Sequence, residues 1–210
     1  MARLTEDRDL LQRALAYLGK ADRDFARAIE EIGPPPPRGR PASFMALLHV
    51  IVAQQVSVHA AKAISARLEA ALEEPTPEAF LKLTDADLKA VGFSRQKMIY
   101  GRDLAAAFGD GRLSIPKLRR QSDDAVITAI TSVKGLGTWS AEVFLLFNFK
   151  RPDVMPAQDL ALLVAAQRLK RLKERPSPAE LRILSEPWSP YRSYAARMLW
   201  HYYRNGPPPL

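Results

Sequence analysis

The 210-residue chain contains no cysteine. That excludes disulfides, thiolate zinc sites and a cysteine-ligated iron–sulfur cluster. No apolar run approaches the roughly 18 residues needed to cross a bilayer. The N-terminal stretch MARLTEDRDLLQRALAYLGK has acids where a signal peptide needs an uninterrupted apolar segment. A soluble, cytoplasmic protein with no membrane partner is expected. Segments of strand period and internal repeats are also missing, so the expected fold class is all-α. Acid is the minority charge: 31 Lys and Arg stand against 23 Asp and Glu, a formal net charge of +8. Such an excess favours a polyanionic partner. With 47% hydrophobic residues, the chain can bury the core of one substantial domain or two small lobes.

The apolar rhythm predicts a succession of helices. Leu4, Leu11, Leu15, Leu18, Phe25 and Ile29 share roughly one face over residues 4–31, with a break into two helices predicted near Gly19-Lys20. The run from Gly33 to Pro41 holds five prolines and reads as an extended connector. Phe44, Leu47, Leu48, Ile51 and Val52 then keep helical spacing behind Ser43, a predicted N-cap. Further starts are marked by Thr76-Pro77, by Thr84 with Asp87, and by Ser177-Pro178 with Glu180. The basic run Arg168, Lys170, Arg171, Lys173 and Arg175 either faces a polyanion or is a solvated helix end favoured by the dipole. Residues 205–210 read as a frayed tail.

The chain is organised around residues 132–160, SVKGLGTWSAEVFLLFNFKRPDVMPAQDL. Gly135 and Gly137 permit a sharp turn and a close approach of backbone to ligand. Thr138 is placed to cap the helix that follows, whose free N–H groups and positive dipole end form a dock for an anion. A short helix from Ser122 to Ile130 precedes the turn. The segment closes on Asp159, which is either an N-terminal capping acid or a catalytic carboxylate, and the two roles are compatible.

Helix, glycine hairpin and second helix resemble the helix-hairpin-helix motif. With Met155-Pro156-Ala157-Gln158-Asp159 about twenty residues beyond the hairpin, the chain resembles the helix-hairpin-helix DNA glycosylase superfamily. The segment Ile51–Ala61, with Gln54 and Gln55, and the terminal segment Trp188–His201 look like its 3-methyladenine DNA glycosylase II, or AlkA-like, branch. The resemblance covers most of residues 42–204.

That resemblance implies an all-α, two-lobed fold. Residues 1–40 would pack with a C-terminal lobe of residues 149–210, around a central lobe of residues 41–148. It implies a partner, double-stranded DNA containing damaged bases, lying across a cleft centred on Asp159, with the protein a monomer. Asp159 would be catalytic. Trp139, Trp200 and His201 would line the base pocket with Gln54, Gln55 and Val143; the two glutamines could equally satisfy backbone groups at a helix corner, and both roles are compatible. Lys134, Gly135, Leu136, Gly137 and Thr138 would grip the backbone. Arg95, with Phe93 beside it, would fill the space a flipped nucleotide leaves, or form a plain solvated turn. The carbonyls of Thr131, Val133 and Leu136 would hold a hard cation, and no cofactor would be needed for catalysis. The family's bifunctional members carry a lysine where this chain has Trp139, so the implied activity is monofunctional excision of alkylated purines in base excision repair. The alternatives are a non-catalytic binder of distorted DNA and a glycosylase for another lesion. Val143 and His201 depart from the aromatic residues common at those places in the family.

Overall fold

A computed structural model describes residues 2–37, 39 and 41–207, with side chains from residue 8 onward. Leu4, Arg38, Arg40 and residues 208–210, which figure in the expected stripe, connector and tail, lie outside what is described in this way. The described residues form helices, turns and extended connectors, and no strand. In chain order the helices are α1 (Ala2–Ala21), α2 (Arg23–Ile32), α3 (Phe44–Ala53), α4 (Val58–Ala71), α5 (Pro77–Lys82), α6 (Asp85–Val91) and α7 (Arg95–Gly109). There follow α8 (Ile115–Arg119), α9 (Asp123–Thr131), α10 (Thr138–Phe144), α11 (Leu160–Lys170), α12 (Pro178–Leu184) and α13 (Arg192–Asn205). A π-helical turn, Leu145–Phe149, extends α10, and a 3₁₀ turn, Glu186–Trp188, follows α12.

Local chemistry explains most of the helix starts. Ser43, Ser57, Thr76, Thr84, Ser94, Ser122 and Ser177 each accept a backbone N–H of the following first turn through the side-chain oxygen. Thr84–Asp87 and Ser177–Glu180 are complete capping boxes. The break near Gly19-Lys20 is displaced: α1 runs through both residues to Ala21. It stops where Asp22 takes an extended backbone and caps α2 by accepting the Asp24 N–H.

By internal contacts the chain divides into two compact units, Met1–Gly39 with Lys150–Leu210, and Arg40–Phe149. In the first, α11 and α13 pack together, joined by α1 and α2. Trp188 is fully buried, edge-on to Phe25 with ring centroids 4.9 Å apart. Its indole N–H donates to Asp22 Oδ2 at 2.9 Å. Lys170 Nζ donates to both Asp22 oxygens, at 2.9 and 3.0 Å, and lies 2.7 Å from Asp24 Oδ2. The basic run thus proves to be built inward in part. Lys170 joins α11 to the α2 cap, and Arg168 donates to the carbonyls of Tyr203, Gly206 and Pro207. That contact also fastens residues 205–207, so the expected frayed tail does not begin at Asn205.

Burial pulls Lys170 down, but the hydrogen bonds to Asp24 and Asp22 outweigh it and raise the ammonium above its ordinary value. For Asp24, burial pushes up and Lys170 and Arg27 more than offset it, leaving the carboxyl below its ordinary value. A raised base stabilises the fold fully below its unfolded pKa, near 10.4, and loses that contribution as pH rises through the folded one. A lowered acid contributes above its unfolded value, near 3.9, and loses its share as pH falls. We predict that Lys170→Met destabilises the protein by about 2–3 kcal/mol, because two carboxylates then face each other half-buried. In thermal melts the deficit should be equal at pH 6 and pH 9 and should shrink below pH 4.

In the second unit, Phe44 meets Phe80 and Phe108 edge-on, at 5.9 and 5.6 Å between centroids. Helix α7 packs on α3 and α5. Lys97 is buried, and its Nζ donates to the Val52 carbonyl at 2.6 Å near the C-terminus of α3. Burial lowers the pKa of this amine.

Candidate active site

In the first unit, the segment leading to Asp159 is stapled to the start of α13. Arg192 donates through Nε and Nη2 to the two oxygens of Asp153, at 2.8 and 2.7 Å, and Ser189 Oγ adds a bond at 2.9 Å. Burial pushes the Asp153 carboxyl up, but the bonds from Arg192 and Ser189 outweigh it and hold the group below its ordinary value. The Ser193 N–H donates to the Pro152 carbonyl at 3.0 Å, and the Val154 N–H returns a bond to Ser193 Oγ at 2.9 Å. Two helical turns along α13 from Ser193 comes Trp200.

Asp159 stands at the head of α11, φ −70°, ψ 118°, as its N-cap. Its Oδ1 accepts the Ala161 N–H at 2.9 Å, the Leu162 N–H at 3.1 Å and the Trp200 indole N–H at 3.1 Å. The two readings of Asp159 are therefore compatible in geometry: a half-buried carboxylate is fixed in direction by three donors converging on one oxygen. Trp200 touches it through nitrogen, so its ring plane is tied to the acid. His201, the next residue, is directed elsewhere. Its Nε2 lies 3.2 Å from the Ile32 carbonyl and its Nδ1 3.1 Å from Asn205 Nδ2. That pattern suits a ring donating from Nε2 and accepting at Nδ1. The imidazole is engaged between α2 and α13 through both ring nitrogens.

In the second unit, α9, the turn 132–137 and α10 form the hairpin. Gly135 takes φ +82°, and a Cβ there would lie 2.1 Å from Tyr100 Cδ2. Only glycine fits, because the ring of α7 lies directly against the turn. Gln54 Nε2 donates to the Gly135 carbonyl at 2.7 Å. Its amide braces the hairpin, the backbone-satisfying role expected of it beside a place in the pocket. Gln55, next to it, is exposed and holds φ +56°, uncommon for a residue with a side chain.

Thr138 does not cap α10. Gly137 occupies the cap with an extended backbone, φ −102°, ψ −179°, and Thr138 is already the first helical residue, with no side-chain hydrogen bond closing that turn. A glycine cap supplies no side-chain oxygen of its own, and backbone amides at a helix N-terminus suit an anion. Lys134 and Gly137 are exposed beside them. Leu136 is a core residue, 4% exposed, so only its backbone is available to a ligand. Trp139 and Val143 are half-buried, four residues apart on one face of α10. Phe93 is also core: 4% exposed, with its ring against Phe80 at 6.1 Å. Its ring is packed into the core of this unit, against α5. Arg95 is exposed at the first position of α7.

Sequence reasoning missed Tyr100, Asp103, Asp153 and Arg192, which hold the hairpin and the Asp159 segment. Only the pairing of Tyr100 and Asp103 three residues apart on α7 gave a signal, that of a shared helix face.

Residues 48–190 match the sequence profile described as HhH-GPD superfamily base excision DNA repair protein. The DNA-3-methyladenine glycosylase 1 of Schizosaccharomyces pombe is 29% identical over 197 residues, which make up 90% of this chain and 86% of that protein. The putative DNA-3-methyladenine glycosylase YfjP of Bacillus subtilis is 28% identical over 162 residues, 73% of this chain, and the match spans only 56% of YfjP. Among solved structures, the S. pombe 3-methyladenine DNA glycosylase Mag1 in complex with abasic DNA superposes with a TM-score of 0.85 at 29% identity, covering 91% of this chain and 97% of that one. Read with the hairpin and the capped aspartate, these matches place the chain in the helix-hairpin-helix (HhH-GPD) superfamily of base excision DNA repair proteins, in its AlkA-like branch.

Proposed function

We propose that this protein is a monofunctional DNA glycosylase that extrudes alkylated purines of the 3-methyladenine and 7-methylguanine type from duplex DNA and hydrolyses their N-glycosidic bond. The observation that carries the reading is Asp159, held by three N–H donors at the head of α11 with the Trp200 indole against it. The relatives named as 3-methyladenine glycosylases support the substrate class. A base inside a duplex is out of reach of a side chain, so the nucleotide must leave the stack. Once it is extruded, the C1′–N bond breaks with both electrons going to the cationic base, which departs neutral. Positive charge grows on the sugar, and a fixed carboxylate lowers the energy of that state. Water completes the step by bonding to C1′ and losing a proton. An alkylated purine already leaves readily, so this chemistry requires no strong general acid. An electron-rich indole face also attracts a cationic base.

The lyase reaction of bifunctional relatives needs an amine to attack the sugar. Position 139 is tryptophan, and we expect the abasic strand to stay uncut. The carbonyls of Thr131, Val133 and Leu136 are suited to a hard cation, which takes oxygen ligands. Val133 accepts the Leu136 N–H at 3.1 Å and keeps a second lone pair. With Phe93 buried, the element best placed to fill the emptied stack is the α3–α4 corner. There Gln55 is exposed and strained, Val56 and Val58 are exposed, and Gln54 ties the corner to the hairpin. Gln55→Gly, which suits the positive φ and removes the side chain, should lower kcat/KM for base release by about tenfold while leaving the melting temperature unchanged or higher.

The deciding assay incubates the protein with duplex DNA carrying 7-methylguanine and measures free base and strand integrity. Release of base with strands cut only after alkali supports the proposal. Duplex binding without release would move the reading to a non-catalytic binder of distorted DNA.

A further inference from the structure

Lys97 lies inside the second unit, 9% exposed, and its Nζ donates to the Val52 carbonyl at 2.6 Å. Burial lowers the pKa of this amine, and among the described residues no carboxylate pairs with it. A buried amine without a carboxylate is costly, and methionine would fill the same space without that cost. What the amine adds is a donor for one of the last carbonyls of α3, groups that a helix leaves unpaired at its C-terminus.

The Val52 carbonyl stands at the exit of α3, just before the corner. Gln54 is extended, φ −64°, ψ 132°, and Gln55 then takes φ +56° and is exposed. The direction of Gln55 therefore depends on how the last turn of α3 is held. The same side of α7 also holds the hairpin. Tyr100, three residues after Lys97, lies against Gly135, and Asp103, three further on, accepts the Lys134 N–H at Oδ2, at 2.8 Å. Gln54 Nε2 closes the frame by donating to the Gly135 carbonyl at 2.7 Å. Helix end, hairpin and α7 are thus joined on three sides, with Lys97 tying α7 to the end of α3.

We infer that Lys97 is a positioning residue for base extrusion: by holding the Val52 carbonyl it fixes the last turn of α3, so that Gln55 is presented in one direction to the stack that the nucleotide leaves. The inference rests on reading the α3–α4 corner as the element that fills that space. Lys97 touches no substrate and acts through the backbone of residue 52. Without the donor the last turn of α3 loosens, and an extruded nucleotide returns to the stack more readily.

The experiment compares wild type, Lys97→Met, Lys97→Arg, Gln55→Gly and the Lys97→Met/Gln55→Gly double variant. The probe is a duplex carrying 7-methylguanine beside 2-aminopurine, whose fluorescence rises as its neighbour unstacks. Rates are single-turnover, at saturating enzyme, and are scaled to the folded fraction read by circular dichroism. Lys97→Met should lower the fluorescence rise and slow base release by about tenfold. Duplex affinity, supplied by the hairpin, should stay within about threefold of wild type. Lys97→Arg keeps a cationic donor and should restore release to within about threefold of wild type. In the Gln55→Gly background, Lys97→Met should cost less than about twofold, because the side chain it directs is gone. A tenfold loss in both backgrounds would overturn the inference and leave Lys97 a purely structural residue. So would Lys97→Met with wild-type fluorescence and rate while Gln55→Gly is slow. Gln55→Gly at the wild-type rate overturns the reading of the corner and the inference with it. A fluorescence rise that Lys97→Met loses, in a protein whose wild type releases no base, keeps the inference and counts against the catalytic reading alone.

Discussion

Asp159→Asn is expected to abolish base release, with a fall of about 10³-fold in the single-turnover rate, while the fold and duplex affinity remain. The geometry makes this substitution unusually clean. The N–H groups of Ala161 and Leu162 and the indole N–H of Trp200 meet a single oxygen of Asp159. The carbonyl oxygen of asparagine can accept all three, so the α11 cap and the Trp200 contact survive while the negative charge is lost. Asp159→Ala removes both, and should add a melting deficit worth about 1 kcal/mol for the lost cap. Trp200→Phe keeps a ring but withdraws the indole donor, and is expected to slow release by about tenfold. Base release from 7-methylguanine duplex checks each variant. An Asp159→Asn protein that releases base at the wild-type rate would remove Asp159 from the chemistry and leave it a helix cap.

Gly135→Ala carries the second large effect, on binding and on stability together. Two separate penalties meet at this position. The backbone angle of φ +82° disfavours any side chain, by about 1 kcal/mol. The new Cβ would also lie 2.1 Å from Cδ2 and 2.3 Å from Cγ of Tyr100, inside the ring's own volume. Either the ring moves, disturbing its contact with Gln96, or the turn lifts off α7 and loses the Gln54 and Asp103 bonds. Destabilisation of about 2–4 kcal/mol is expected, with duplex affinity down by more than about tenfold. A double-mutant cycle separates the two penalties. In a Tyr100→Ala background the clash is gone, and Gly135→Ala should cost only the backbone share. An equal loss in both backgrounds would show that the ring is not what fixes the turn.

The sequence by itself determined which segments are helices, where most of them begin, and that a glycine turn and a capping aspartate lie within one stretch of about thirty residues. These features are local. A capping serine or threonine acts on an amide two or three residues away, helical apolar spacing is visible within four, and an X-Pro or Gly-X-Gly stretch restricts its own backbone. For the same reason Ser43, Thr84, Ser122, Ser177 and Asp159 could be read as caps without coordinates.

Only the tertiary structure decided what the neighbouring side chains do. Gln54 and Gly135 are 81 residues apart, Trp200 and Asp159 are 41 apart, and Lys134 and Asp103 are 31 apart. No local pattern could show that one glutamine of a pair braces the hairpin while the other projects outward, or that Phe93 fills a core while Arg95 stays exposed. His201 sits one residue from Trp200, yet successive positions on a helix point about 100° apart. The indole therefore meets Asp159 and the imidazole meets the end of α2. Part of the basic run on α11 was misread for the same reason. Arg168 and Lys170 look solvated in one dimension, but helix ends brought together in three dimensions present carbonyls and carboxylates that need donors. The local code sets the pieces and the motif, and long-range packing of charged and polar groups assigns each piece its partner.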